Sequence, residues 1–293
     1  MRVAAVRCLT ALIGLGLAAS AGAQQTVTFT DFCNTSSFTL NGASASLNPN
    51  AQCVLRLTQG LGQGSSAFLT NTFSLASNAS FSTFFRFQML NPVGIGDSDG
   101  AGADGIVFAI QTVSNTAGGG GGGIGFQGIS PSVGVEYDTF NNGAQDQNDP
   151  NHIGIDTNGN MTSIALTHIT PRFNDGGIWF GWVDYDGVAK RLEGRVNKTG
   201  VRPASPDVSA TVDLPAILGT NNVFVGFTSG CGAGGNTHEI IDWQLVGTFQ
   251  PIGGVSTPTP TPGVSAVVPT LSFPMLAFLG LALAGVALLF LKK

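Results

Sequence analysis

Residues 135–156 read "VEYDTFNNGAQDQNDPNHIGID" and place one Glu, four Asp, several Asn and a His in a chain that is only 10% charged. The flanks of this stretch read as β-strands, and Asn, Gly and Pro fill the space between them. Side chains alternate faces along a strand, so Glu136 and Asp138 share one face, ~7 Å apart, while Val135 and Tyr137 share the other. Three chemistries fit such a pair. It could be the acid and nucleophile of a glycosidase, the ligands of a cation, or two solvated carboxylates. Asn142, Asp146, Asp149 and His152 follow within sixteen residues of Glu136, and this company weighs toward a cation. Ca²⁺ takes carboxylate, amide and carbonyl oxygens, and Mn²⁺ accepts carboxylates with an imidazole. One loop with these donors could hold one ion of each kind and share a carboxylate between them.

Outward from this stretch the chain is all β. Short apolar, β-branched or aromatic runs such as "FSTFFRFQM", "GIVFAIQ", "IALTHI", "NVFVGFTS" and "IIDWQLVGTF" alternate with Gly, Asn, Ser and Pro, and no helical period emerges between residues 25 and 249. Ten or more strands in about 225 residues make a sandwich or barrel. In "WVDYDGVAKRLEGRV", two runs flank a polar turn, which is a hairpin, and Asp184 and Asp186 read as its turn residues. Trp179, Trp182 and Trp243 read as core or sheet-face aromatics. His168 and His238 read as structural, without acidic neighbours.

Both ends read as targeting segments. Residues 1–23 combine Arg2 and Arg7, an apolar run of roughly a dozen residues and Ala21-Gly22-Ala23, the pattern of a cleaved secretory signal peptide. Residues 250–269 form a Pro/Thr/Gly linker that should not pack. Residues 270–293 carry an uncharged span closed by Lys292-Lys293, long enough for a transmembrane helix. The domain between them, residues 24–249, holds all 17 carboxylates but only eight Lys and Arg, a formal charge of −9. That surface argues against nucleic acid as a partner. Cys33 and Cys53 would close a modest loop as a disulfide in an oxidising compartment, or stand as two buried thiols; Cys231 is left over.

The motifs, taken in order, resemble the legume-type (L-type) lectins. "FTDF", "LRLTQG", "FSTFFRF", "GADGIVFAI", "GGGGGGIGF", "VGVEYDTFNN…HIGIDTN", the hairpin and "VFVGFTSGCGAGGNTHEIIDWQL" cover nearly all of residues 26–249. The resemblance implies a concanavalin A-like jelly-roll sandwich of two large antiparallel sheets. It implies Glu136, Asp138 and His152 as Mn²⁺ ligands, and Asp138, Asn142 and the Phe140 carbonyl as Ca²⁺ ligands. The second shared aspartate is Asp146 or Asp149; Asp146 is favoured because three residues before His152 leave little chain to wrap an ion. For the sugar, the resemblance implies Asp104 after a cis Ala103–Asp104 peptide, Phe140 stacking on the ring, the Asn142 amide, a backbone N–H near Gly122, and the specificity loop with Gly232 and Ala233. That loop has no large contact residue, and Cys231 within it could pair with another chain. The tail "VPTLSFPMLAF…LLFLKK" is similar to the bacterial IPTL-CTERM sorting tail, which implies export in a Gram-negative bacterium to the periplasm or cell surface.

The function expected is non-catalytic, Ca²⁺/Mn²⁺-dependent binding of glycans or exopolysaccharide, with a membrane tie through the C-terminal helix and a homo-oligomer in prospect. A glycoside hydrolase on the same sandwich is the first alternative. Laminarinase-type enzymes place a further Glu four or five residues after the first, where this chain has Phe140 and Asn141. A surface protein with a vestigial sugar site is the second alternative.

Overall fold

A computed structural model describes residues 25–47, 52–75 and 78–254. The signal peptide and the transmembrane tail expected at the termini lie outside them. Among the described residues no helix is long and apolar enough to cross a membrane.

Two antiparallel sheets face each other. The front sheet carries, in spatial order, strands Asn160–His168, His152–Thr157, Ser132–Asp138, Gly105–Gln111, Asn222–Cys231, Gln63–Leu69 and Phe38–Gly42. The back sheet orders Val208–Thr211, Arg191–Asn197, Ile178–Asp186, Phe81–Gly94, Gly234–Val246, Val54–Gln59 and Ala45–Leu47, with Thr26–Phe29 also paired to Gly234–Val246. This is the all-β sandwich the sequence implied.

Strand alternation explains the back sheet. Phe85 and Phe87 enter the core, while Arg86 between them faces outward and pairs with Asp242. Rings from both sheets meet between the layers: Phe85 lies 5.0 Å from Phe227, Phe227 5.2 Å from Trp243, and Phe87 5.1 Å from Tyr137, centroid to centroid. Each fully buried aromatic of this kind contributes ~1.5–3 kcal/mol over its exposed state. The front-sheet strand Gly105–Gln111 is buried at every position, because apolar layers cover both of its faces. Phe108 joins the inter-sheet core, whereas Val107 and Ala109 pack under Ile124, Phe126 and Phe68 on the other side. Ile124 and Phe126 thereby anchor the glycine run 118–123 to the sheet.

Four expectations change. Asp184 is a fully buried strand residue held by Arg195 and Arg202, and only Asp186 caps the turn, accepting from the Val188 and Ala189 N–H groups. A short helix, Leu214–Leu218, follows an Asp213 cap; one turn is too short to show a period. The packed chain runs past 249: Gln250 N donates to Ser82 Oγ, and Gly254 lies so close to Gly200 that a Cβ would clash with its carbonyl. Cys231 is fully buried, so burial bars it from pairing with another chain.

Cys33 and Cys53 form a disulfide across 20 residues, with Cα atoms 4.9 Å apart. The Phe32 N–H also donates to the Cys53 carbonyl at 3.1 Å. Replacing both cysteines with serine should cost about 2–4 kcal/mol, the usual range for such a loop, read as a lower denaturant midpoint at unchanged slope.

Candidate metal and ligand site

Register builds the acidic site. Asp138 pairs with Gly105 on one side and His152 on the other, and Glu136 pairs with Val107 and Gly154. Glu136, Asp138 and His152 therefore converge, with one ligand atom of each within 4.8 Å of the others, all buried. His152 Nε2 lies 3.2 Å from Glu136 Oε1, and His152 Nδ1 has no hydrogen-bond partner among the described residues. Gly154 is glycine for a steric reason. A Cβ there would stand 2.4 Å from Glu136 Oε1 and 2.2 Å from Ser163 Oγ.

The loop closes the site from above. Asp138 Oδ1 accepts from the Phe140 N–H at 2.7 Å, and the buried Asp146 accepts from the Asn142 N–H. Asp149 is turned elsewhere: its Oδ1 lies 2.9 Å from His168 Nδ1 and 3.9 Å from His152 Nδ1. So the fold brings Asp146 toward the cluster and engages Asp149 with His168, whose acidic neighbour the sequence reading missed.

Burial sets the electrostatics. Desolvation, reinforced by Glu136 and Asp146, holds the Asp138 carboxyl well above its usual range. Desolvation lifts Asp146 to about 6 and Asp104 to about 7, the latter against a hydrogen bond from the Gly232 backbone. Burial works against the His152 imidazolium, but the hydrogen bond and charge of Glu136 outweigh it and the pKa rises. Carboxylates packed this closely without water favour a bound proton or a cation. The donor set of carboxylates, one imidazole and nearby amide and carbonyl groups is one that could hold a metal ion.

Beside this cluster a second group of atoms lines one small space. A Cβ on Gly122 would stand 3.3 Å from Asn142 Nδ2 and 3.9 Å from Asp104 Oδ1; one on Gly232 would stand 3.8 Å from Asp104 Oδ2 and 3.9 Å from the Gly122 nitrogen. Asp104 Oδ2 is buried and has no hydrogen-bond partner among the described residues. The Ala103–Asp104 peptide is cis. Asn236 Nδ2 donates to the Ala103 carbonyl at 3.1 Å, and Thr139 donates through N–H and Oγ1 to the Asp104 carbonyl at 2.8 and 3.0 Å. Phe140 is half-buried, and Asn142 and Ala233 are exposed.

The legume lectin domain family matches residues 24–256, well over half of the chain. The chain belongs to the legume lectin domain family. An L-type lectin-domain containing receptor kinase, VIII.1 of Arabidopsis thaliana, is 28% identical over 198 residues, 65% of this chain and 27% of that protein. Lectin 8 of Medicago truncatula is 35% identical over 117 residues, 39% of this chain and 42% of that one. The chain spans about a quarter of the length of the receptor kinases it matches. Among solved structures, basic winged bean lectin, determined with Tn-antigen, superposes with a TM-score of 0.63 at 27% identity, covering 76% of this chain and 98% of that one.

Within this legume lectin domain, several residues at the site escaped the sequence reading. Ser163 Oγ lies 2.6 Å from Glu136 Oε1 and 2.9 Å from Asp156 Oδ1, and one hydroxyl proton cannot serve both acceptors at once. Desolvation and the Glu136 charge raise the buried Asp156 carboxyl as well. Strand alternation could have found Asp156, which shares a face with His152; Ser163 arrives from a neighbouring strand and leaves no local trace. Asp97 accepts from the Asn141 N–H at 2.8 Å, and Arg172 donates to the Thr139 carbonyl at 2.9 Å, so both brace the ligand loop.

Cys231 and His238 form part of the floor beneath Ala103. Cys231 Sγ lies 3.6 Å from the Ala103 carbonyl and 3.8 Å from His238 Nδ1, which also contacts Thr58 Oγ1 at 2.6 Å and Ser229 Oγ at 2.9 Å. Burial pushes the His238 pKa down to about 3. The unfolded chain therefore binds a proton between pH ~6.5 and ~3 that the folded chain refuses, so stability falls as the pH drops through that window. This residue should contribute up to ~1.4 kcal/mol per pH unit to the slope. Denaturant unfolding at pH 7, 5.5 and 4.5 should show a shallower slope for His238→Gln than for the parent.

Proposed function

We propose that this chain is a non-catalytic, Ca²⁺- and Mn²⁺-dependent carbohydrate-binding protein displayed outside the cytoplasm. One observation carries the reading: Asp104, Gly122, Asn142 and Gly232 converge on a small space beside the buried acidic cluster. An acceptor carboxylate, an amide and a backbone N–H side by side suit the vicinal hydroxyls of a sugar, which offer donors and acceptors in alternation. The winged bean lectin with Tn-antigen is a relative determined with such a ligand.

Glu136, Asp138, Asp146 and His152 would hold the transition ion; Asp138, Asn142, Asp146 and the Phe140 carbonyl would hold calcium. When bound, the cations neutralise the buried carboxylates and stiffen residues 138–146. The chain's own residues do the recognising. Asp104 accepts from sugar hydroxyls, Asn142 and the Gly122 N–H donate, and the half-buried Phe140 offers an apolar face. Affinity for one monosaccharide should be weak, because a few hydrogen bonds and one stacked face must offset the loss of translational freedom. Display as a homo-oligomer or in many copies on a surface would raise avidity.

Geometry weighs against the hydrolase reading. Glu136 and Asp138 are 1% exposed and converge with His152 in one buried cluster, an arrangement that suits holding an ion better than straddling a glycosidic bond. Export from a Gram-negative cell is supported by the Arg2–Ala23 pattern, the Cys33–Cys53 bridge and the sorting-tail resemblance.

A glycan array run with Ca²⁺ and Mn²⁺, and again with EDTA, tests the proposal. Binding should appear only with the cations and should disappear in Asp104→Asn and Asp138→Asn. Binding that persists in EDTA overturns the metal dependence; no binding in either condition leaves the vestigial alternative. In parallel, cations at about a hundred times their dissociation constant should stabilise the parent by ~2.7 kcal/mol, a rise of ~5–10 °C in Tm, and should not stabilise Asp138→Asn. The rise should be smaller at pH 5 than at pH 7.5, because Asp146, with a pKa near 6, then holds a proton that a cation must displace.

A further inference from the structure

The strand Ser132–Asp138 ends where the ligand loop begins. Asp138 is the last residue of its ladders with Gly105 and His152, so the sheet no longer fixes the chain from Thr139 onward. Backbone amides shielded from water must still find acceptors. The N–H groups of Phe140 and Asn142 go to Asp138 and Asp146, two carboxylates that the proposed function commits to cations. The Thr139 N–H goes to the Asp104 carbonyl at 2.8 Å. The Asn141 N–H goes to Asp97 Oδ2 at 2.8 Å, and the Thr139 carbonyl accepts from Arg172 Nη2 at 2.9 Å. Asp97 and Arg172 thus grip the backbone on either side of Phe140, and neither belongs to the proposed cation shell.

Both grips are themselves anchored. Asp97 lies in the short hairpin of Gly96–Asp97 and Gly100–Ala101, where its Oδ1 accepts from the Asp99 N–H at 3.3 Å. Arg172 reaches the same hairpin: Nη1 donates to the Ala101 carbonyl at 3.1 Å, and Nε lies 3.0 Å from Asp99 Oδ1. Gly100 makes room, because a Cβ there would stand 2.5 Å from Nη1. The segment that carries Arg172 is set by the buried Asn151. Its Oδ1 accepts from the Phe173 N–H at 3.0 Å, and its Nδ2 donates to the Ile169 carbonyl at 2.7 Å. An exposed ion pair by itself would contribute little. Here the Arg172 side chain is 17% exposed, and one rigid guanidinium ties together carbonyls from two loops.

We propose that Asp97 and Arg172 are positioning residues that hold residues 139–141 in their ligand-binding shape before any cation arrives. Calcium then meets a preformed Phe140 carbonyl and the sugar a preformed Phe140 ring, so ordering the loop does not subtract from binding. The clasp itself follows from the geometry; its use in binding rests on the cation- and carbohydrate-binding reading above.

Two measurements on the full chain test this. Hydrogen exchange in EDTA reads the loop without metal. Peptides spanning residues 139–143 should exchange about ten-fold faster in Asp97→Ala, and in Arg172→Met, which keeps the aliphatic stem, than in the parent. Asp97→Asn, whose side-chain oxygen still accepts from Asn141, should stay within about two-fold of the parent. Calorimetric titration then reads the cations. With Mn²⁺ already bound, Ca²⁺ should bind Asp97→Ala and Arg172→Met about ten-fold more weakly. Mn²⁺ itself should bind within about two-fold of the parent, because Glu136 and His152 stand on strands held by their ladders. Parent-like loop exchange in both variants overturns the inference and leaves the cation reading intact. Loosening that spreads to the strands 132–138 and 152–157, or weakens Mn²⁺ equally, also overturns it, since that marks a merely structural role. A parent that binds no Ca²⁺ overturns the cation reading and the clasp's part in it, whatever the exchange shows.

Discussion

Four carboxylates, those of Glu136, Asp138, Asp146 and Asp156, are sealed from water around one imidazole, and the site's architecture answers to that constraint. Charge of one sign at this density is unfavourable in a dry interior unless a proton or a cation offsets it. The surrounding chain is arranged to supply fixed donors and to keep water out. Phe140 and Asn142 donate backbone N–H groups to Asp138 and Asp146, Ser163 bridges Glu136 and Asp156, and Gly154 leaves the room that Glu136 requires.

The same constraint ties the acidic cluster to the ligand-binding space. Asp138 closes the ladder against Gly105, the residue after Asp104. Thr139, next in the chain, holds the Asp104 carbonyl, and Asn236 holds that of Ala103. A shift of the acidic loop would therefore be felt at the Asp104 backbone through Thr139. Under the proposed function, a cation in the acidic cluster would act on the ligand-binding space through that coupling.

The sandwich supports the site in layers. The inter-sheet aromatic core fixes the front sheet from below, and the smaller cluster of Phe68, Val107, Ala109, Ile124 and Phe126 pins the glycine run above it. Gly122 can approach Asp104 and Asn142 because flanking apolar residues, and not glycine itself, provide the adhesion. The polar floor of Thr58, Ser229, Cys231 and His238 lies between the two sheets, beneath Ala103. Its neutral histidine avoids adding a buried charge next to the acids.

Much of this was legible in the chain alone, for one reason: strand periodicity is local. Alternation put Glu136 and Asp138 on one face, turn residues marked the hairpin at Asp186, and the ordered motifs implied the sandwich. Tertiary structure decided what alternation cannot carry. Asp146 and Asp149 lie three residues apart in one polar loop, and only the position of His168, on the next strand, draws Asp149 away. Asp184 read as a turn residue, and two arginines from beyond the turn, Arg195 buried and Arg202 half-buried, made it part of the back sheet. Ser163 and Asp97 are near the site because distant strands meet there. The sequence by itself determined which residues face which way along each strand; the folded chain determined which of those faces meet, because pairing and burial are set by partners far away in the chain.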